Sequence, residues 1–172
     1  SMDFIVELPQ TSRGFNAIYV LVDRLTKMVH LVPCSTTCTA QDAAELFIEN
    51  IFRLHGMPKQ LVCDRDVRWT SNFMEQLCKG LSIDLSKSSG FHPQTDGQTE
   101  RVNRVLEDAL RHFVSPAKHD WDRLLPAVEF AINSAHHEST NASPFELNYG
   151  FKPDSTFDVS LGRSSKLKCE AA

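Results

Sequence analysis

Residues 16–33 read NAIYVLVDRLTKMVHLVP, and this run decides the fold class. From 16 to 23 the chain is dominated by Ile18, Tyr19, Val20, Leu21 and Val22, branched and aromatic side chains that suit an extended strand. A short turn at 24–26 leads into a second strand over 27–33, where Met28, His30 and Val32 alternate with Val29 and Leu31. Upstream, 3–6 is another short extended segment and 9–14 is turn chemistry. Three strands joined by short connections predict an antiparallel meander.

Downstream the period changes. Thr39 followed by Asp42 is a capping-box-like start, Ala44, Phe47, Ile48 and Ile51 fall at helical spacing, and Gly56 with Pro58 ends the helix. Residues 60–63 read as a strand, 72–80 as a helix, 84–87 as a brief strand, and 88–97 as a loop holding Gly90, Pro93 and Gly97. Over 99–113, Val102, Val105, Leu106, Ala109, Leu110 and Phe113 make one apolar stripe. A helix starting near Asp120 is expected to bury Trp121, Leu124, Leu125, Val128, Ala131, Ile132 and Ala135. Ser143 and Pro144 supply a cap and a first-turn proline for a short helix through Tyr149. The pattern fades after Pro153, so 1–153 reads as one domain and 154–172 as a flexible C-terminal extension. Antiparallel strands first, then strands alternating with helices, predict an α/β protein with a mixed five-stranded sheet flanked by helices. That arrangement is similar to the RNase H-like fold.

Composition narrows the function. With 41% hydrophobic and 23% charged residues, the 172-residue chain is ordinary globular material. The longest apolar run, 17–22, is far short of the roughly 20 residues that cross a bilayer, and Asp3 and Glu7 stand where a signal peptide would be basic. A soluble, intracellular protein without a membrane partner is expected. The formal net charge of −4 argues against a simple nucleic-acid-coating module, but not against an enzyme that gathers carboxylates around a metal. Five cysteines, Cys34, Cys38, Cys63, Cys78 and Cys169, read as reduced thiols rather than a disulfide framework. Cys34 and Cys38 have no second pair to complete a zinc site.

Three carboxylates are placed for chemistry. Asp3 lies on the first strand. Asp64 directly follows the apolar strand ending at Cys63, at the C-terminal strand end where open α/β sheets build sites. Glu100 opens the amphipathic helix after the glycine-containing loop and lies on its polar side with Asn103, Arg104, Glu107 and Arg111. Hard divalent cations prefer such oxygen donors, and two of them can assist in-line displacement at a phosphodiester.

Composition does not choose these three among 22 acidic residues. A resemblance does. Residues 2–4 (MDF), 22–27 (VDRLTK), 54–58 (LHGMP), 64–66 (DRD) and 91–101 (FHPQTDGQTER), followed in order by 121–122 (WD), 128–131 (VEFA) and 143–147 (SPFEL), closely resemble the integrase catalytic core of gypsy-type LTR retrotransposons. The resemblance covers about 2–153. It implies a metal-binding triad of Asp3, Asp64 and Glu100, and the 35 residues between the last two match the spacing of retroviral-type integrases.

The same resemblance implies Mg²⁺ or Mn²⁺ as cofactor, with two ions when DNA is bound. It implies a polynucleotidyl transferase, endonuclease and strand transferase in one, that processes the 3′ ends of retroelement DNA and joins them to target DNA in the nucleus. Pro93 and Gln94 in the loop, and Asn103 and Arg104 on the helix, are the implied DNA contacts, Arg104 being able to meet a phosphate bidentately. Glu107 stands where related enzymes often carry a basic residue. A homodimer is implied too, as are an upstream zinc-binding domain and a downstream DNA- or chromatin-binding domain, neither contained in these 172 residues. Asp23 is expected to be structural, pairing with Arg24 or Lys27, and Asp66, Asp96 and His92 to stand outside the triad. His136 and His137 are accounted for by a helix end. The competing readings are a domesticated, catalytically silent dimerisation or binding scaffold, and a ribonuclease H proper, which usually needs a fourth carboxylate.

Overall fold

Five strands form a single mixed sheet in the residues that the computed structural model describes, 1–63, 75, 78–87, 104, 108 and 119–155. They are β1 (Met2–Ile5), β2 (Ala17–Val22), β3 (Val29–Cys34), β4 (Gln60–Cys63) and β5 (Asp84–Lys87), in the order β3-β2-β1-β4-β5. β1 and β3 both run antiparallel to β2, while β1–β4 and β4–β5 are parallel. The antiparallel meander and the mixed five-stranded sheet are those expected from the sequence.

β2 explains why the apolar run in 17–22 is unbroken. Its six residues are all buried, because helices cover both faces of the sheet. Ala17, Tyr19 and Leu21 point to one core, where α1 (Ala40–Phe47) supplies Ala43, Ala44 and Phe47. Ile18, Val20 and Val22 point to the other, where α3 (Trp121–Ser134) supplies Trp121, Leu125 and Val128. Each fully buried Ile or Val here contributes about 1.5–3 kcal/mol relative to exposure.

α1 starts as its sequence predicts. Thr39 accepts from the Asp42 amide while Asp42 accepts from the Thr39 amide, a reciprocal capping box. The helix widens into a π-helical turn, Ile48–Phe52, continues as α2 (Arg53–His55), and stops where Gly56 takes φ +76°, a conformation suited to glycine. A second capping box, Ser143 with Glu146, starts α4 (Pro144–Tyr149). Residues 75, 78–80, 104 and 108 are also helical.

α3 departs from expectation in detail. Trp121, Leu125 and Val128 are buried and Leu124 and Ile132 partly so, but Ala131 and Ala135 are exposed. In their place the helix buries Asp122 and Asn133. The reason is the edge strand: Glu129 Oε2 accepts the Leu31 amide at 2.8 Å, and Asn133 bonds both backbone groups of Val29, so polar side chains of α3 close the open edge of β3. At its N-terminus α3 is tied to the β1–β2 connection, where Trp121 Nε1 donates to the Pro9 carbonyl at 2.7 Å.

Candidate metal centre

Asp3 is half-buried in β1, opposite Val20 of β2. Its neighbours Met2 and Phe4 turn to the α1 side of the sheet, where Phe4 stacks on Tyr19 at 4.8 Å and the Tyr19 hydroxyl donates to Met2 Sδ at 3.1 Å. Strand alternation therefore gives Asp3 the opposite face. The Asp3 Oδ1 accepts the Phe4 amide at 2.8 Å, which orients the carboxylate along its own strand.

β4 lies directly beside β1. Cys63, its last residue, is in parallel register with Met2. Each member of that pair precedes an acid in the sequence, Met2 before Asp3 and Cys63 before Asp64. Asp64 itself lies outside the described residues, as do Glu100, Pro93, Gln94 and Asn103. So do Asp66, His92, Asp96 and Glu107. Arg104 is helical and exposed, and Asp108, four residues on, is the same. Among the described residues no three His, Cys, Asp or Glu side chains are gathered as metal ligands.

Asp23 does structural work by a route other than the expected ion pair. Its carboxylate accepts from the Leu25 amide, the Thr26 amide and the Thr26 hydroxyl, at 3.3, 3.1 and 2.6 Å, closing the β2–β3 turn. Burial pushes its carboxyl up, but the bonds from Thr26 and Leu25 outweigh that and hold it below the ordinary value. Cys34, Cys63 and Cys78 are buried and Cys38 is partly exposed. No helix of the described residues is long and apolar enough to cross a membrane.

Sequence reasoning missed a second polar cluster. His30 Nδ1 lies 3.1 Å from Glu129 Oε1, and His30 Nε2 lies 2.9 Å from His55 Nε2. Both histidines line a cavity of about 510 Å³ between the end of β2, the start of β4 and the helical segment that ends at Gly56. The available signal was His30 itself, a polar residue inside an otherwise apolar strand.

No family model matches the chain. It is 37% identical over 153 residues to the Transposon Tf2-3 polyprotein of Schizosaccharomyces pombe, a match covering 89% of this chain and 11% of the polyprotein. The chain thus spans about a tenth of the length of the curated relatives it matches. Among solved structures it is similar to the HTLV-2 integrase catalytic core domain in complex with magnesium (dimeric form), with a TM-score of 0.65, 15% identity, and coverage of 86% of this chain and 92% of that one. The catalytic core domain of BIV integrase gives a TM-score of 0.62 at 21% identity, covering 85% of this chain and 90% of the other. These likenesses identify the RNase H-like fold. The chain is thus homologous in sequence to a part of the Tf2 transposon polyproteins and shares its fold with retroviral integrase catalytic cores.

Proposed function

We propose that the chain is the catalytic core of an active retroelement integrase, a polynucleotidyl transferase that trims the 3′ ends of element DNA and joins them to target DNA in the nucleus. The observation that carries this reading is the β1–β4 register, in which Met2 and Cys63 are partners and each is followed by one of the triad acids. Continuation of that register by one residue would set Asp3 beside Asp64. The 35-residue interval to Glu100 supplies the third carboxylate at the spacing of the family.

The donor set fits hard divalent ions. Asp3 is a partly accessible oxygen donor on a rigid strand, and aspartate and glutamate oxygens suit Mg²⁺ and Mn²⁺. Asp3, Asp64 and Glu100 would hold the ions, and bound ions supply activation of the attacking oxygen and neutralisation of charge on the leaving one. The rest is positioning. Arg104, exposed on its helix, is available to a backbone phosphate, while Asn103, Pro93 and Gln94 hold the DNA end. A homodimer is part of the reading, supported by the dimeric form of the HTLV-2 core.

The test is a strand-transfer and disintegration assay with Mg²⁺ and with Mn²⁺, run beside Glu100→Gln and repeated with the flanking domains restored. Metal-dependent joining that Glu100→Gln abolishes is the expected result. No joining in any format, flanking domains included, would overturn the enzymatic reading in favour of a scaffold.

A further inference from the structure

The His30–His55–Glu129 chain joins three separate elements: β3, the end of α2, and α3. Its proton arithmetic is restrictive. The Glu129 carboxylate is already fixed by the Leu31 amide and acts only as an acceptor, so His30 Nδ1 carries the proton between them. If His30 is neutral, its Nε2 is a lone pair and His55 Nε2–H donates to it. If His30 is charged, its Nε2–H donates instead and His55 must present a lone pair. One added proton is therefore tolerated. With two, both Nε2 atoms carry hydrogens and face each other at 2.9 Å, where bond becomes repulsion. Two imidazoles with no third ligand among the described residues fall short of a zinc site, which leaves proton chemistry as the use of the pair.

We propose that this chain is an acid-released latch: at neutral pH it holds the end of α2 against β3, and protonation of both histidines frees α2 to swing at Gly56 and open the adjoining cavity. Gly56, at φ +76°, is a natural pivot, and residues 57–59 lead directly into β4. His55 is exposed and His30 mostly buried, so His55 is the ring that leaves. Partial burial and the neighbouring His30 both hold the His55 imidazole below its ordinary value of 6.5, and Asp23 opposes them. The other charged groups around the cavity are Arg24 from the β2–β3 turn and the Ser1 amino group, which burial and Arg24 bring down to about 6. α4 contributes only the uncharged Asn148.

Because the Ser1 amine titrates nearby, the readout must be specific to the rings. Nitrogen-15 imidazole NMR of the 172-residue chain, from about pH 8 to about pH 5, follows each histidine separately. His55 is expected to protonate below 6.5, and His30→Gln to move its midpoint upward. Over the same interval the Gly56 amide, bonded to the Phe52 carbonyl at 2.9 Å, should lose hydrogen-exchange protection, after correction for intrinsic rate. A loss of about tenfold corresponds to one pH unit of linkage. A His55 midpoint that His30→Gln leaves in place would overturn the proposal. So would unchanged Gly56 protection in the unaltered chain, a measurement that stands even if the variant does not fold.

Discussion

Asn133 of α3 brackets Val29 of β3: its Oδ1 accepts the Val29 amide at 2.8 Å and its Nδ2 donates to the Val29 carbonyl at 2.8 Å. Both bonds are buried, and a side chain 104 residues away thus supplies what a sixth strand would otherwise provide. Asn133→Ala strands a donor and an acceptor at once. The expected cost is about 2–4 kcal/mol, since each buried unpaired group costs about 1–3. Urea unfolding should show a lower midpoint with an unchanged slope. Light scattering should rise with concentration, because the opened edge can template another chain.

This contact also marks where sequence reading reaches its limit. β2 is legible because burial on both faces forces a continuous apolar run, and the caps at Thr39 and Ser143 are legible because both partners sit three residues apart. Glu129 and Asn133 look like the solvent side of an amphipathic helix. What they bond is set by the docking of α3 on β3, a long-range event that no local period records. The exposure of Ala131 and Ala135 has the same origin, since the helix is rotated to bring Asn133 inward. At the candidate site, the placement of Asp3 on the first strand was legible in the sequence, whereas the adjacency of β1 and β4 was not, because strand order is set by how the sheet packs. The expected roles of Glu100, Asn103, Pro93 and Gln94 fall on residues outside the described part of the chain.

The N-terminus of α3 carries a buried charge. Asp122, with a side chain only 1% exposed, accepts from Arg13 Nε through one oxygen, and its other oxygen has no hydrogen-bond partner. Removing the arginine leaves a buried carboxylate uncompensated. Arg13→Ala should cost about 1–3 kcal/mol, below a fully enclosed pair because Arg13 is 51% exposed. The double variant Arg13→Met with Asp122→Leu should recover most of that loss in thermal unfolding, since it removes the desolvated charge as well as its partner.

Acid should act on the β2–β3 turn through Asp23. Its carboxyl is held below the ordinary 3.8, so the unfolded chain takes up the proton first as pH falls. The turn's contribution is complete above that value and fades as pH drops through the lower folded value. Asp23→Asn should therefore be most destabilising near neutrality and approach the unaltered chain in strong acid. Solvent screening keeps the neutral-pH difference under about 1 kcal/mol. Urea midpoints of both proteins across the acid range measure it, and a constant gap would count against the assignment.

The sharpest contrast at the candidate metal centre is between two aspartates separated by one residue. Asp64 follows Cys63, the partner of Met2, while Asp66 lies two positions further from that registered pair. If metal is held where β1 and β4 run side by side, Asp64→Asn should lower metal-dependent joining by at least about a thousandfold, the scale of losing a principal electrostatic stabiliser. Asp66→Asn should leave joining close to that of the unaltered chain. Melting temperatures without metal should stay alike, and the rise on adding Mn²⁺ should vanish only in Asp64→Asn, since only binding to the folded state shifts that midpoint. Equal loss of joining in the two variants would move the centre off the β1–β4 boundary, and would detach the 35-residue interval to Glu100 from the chemistry.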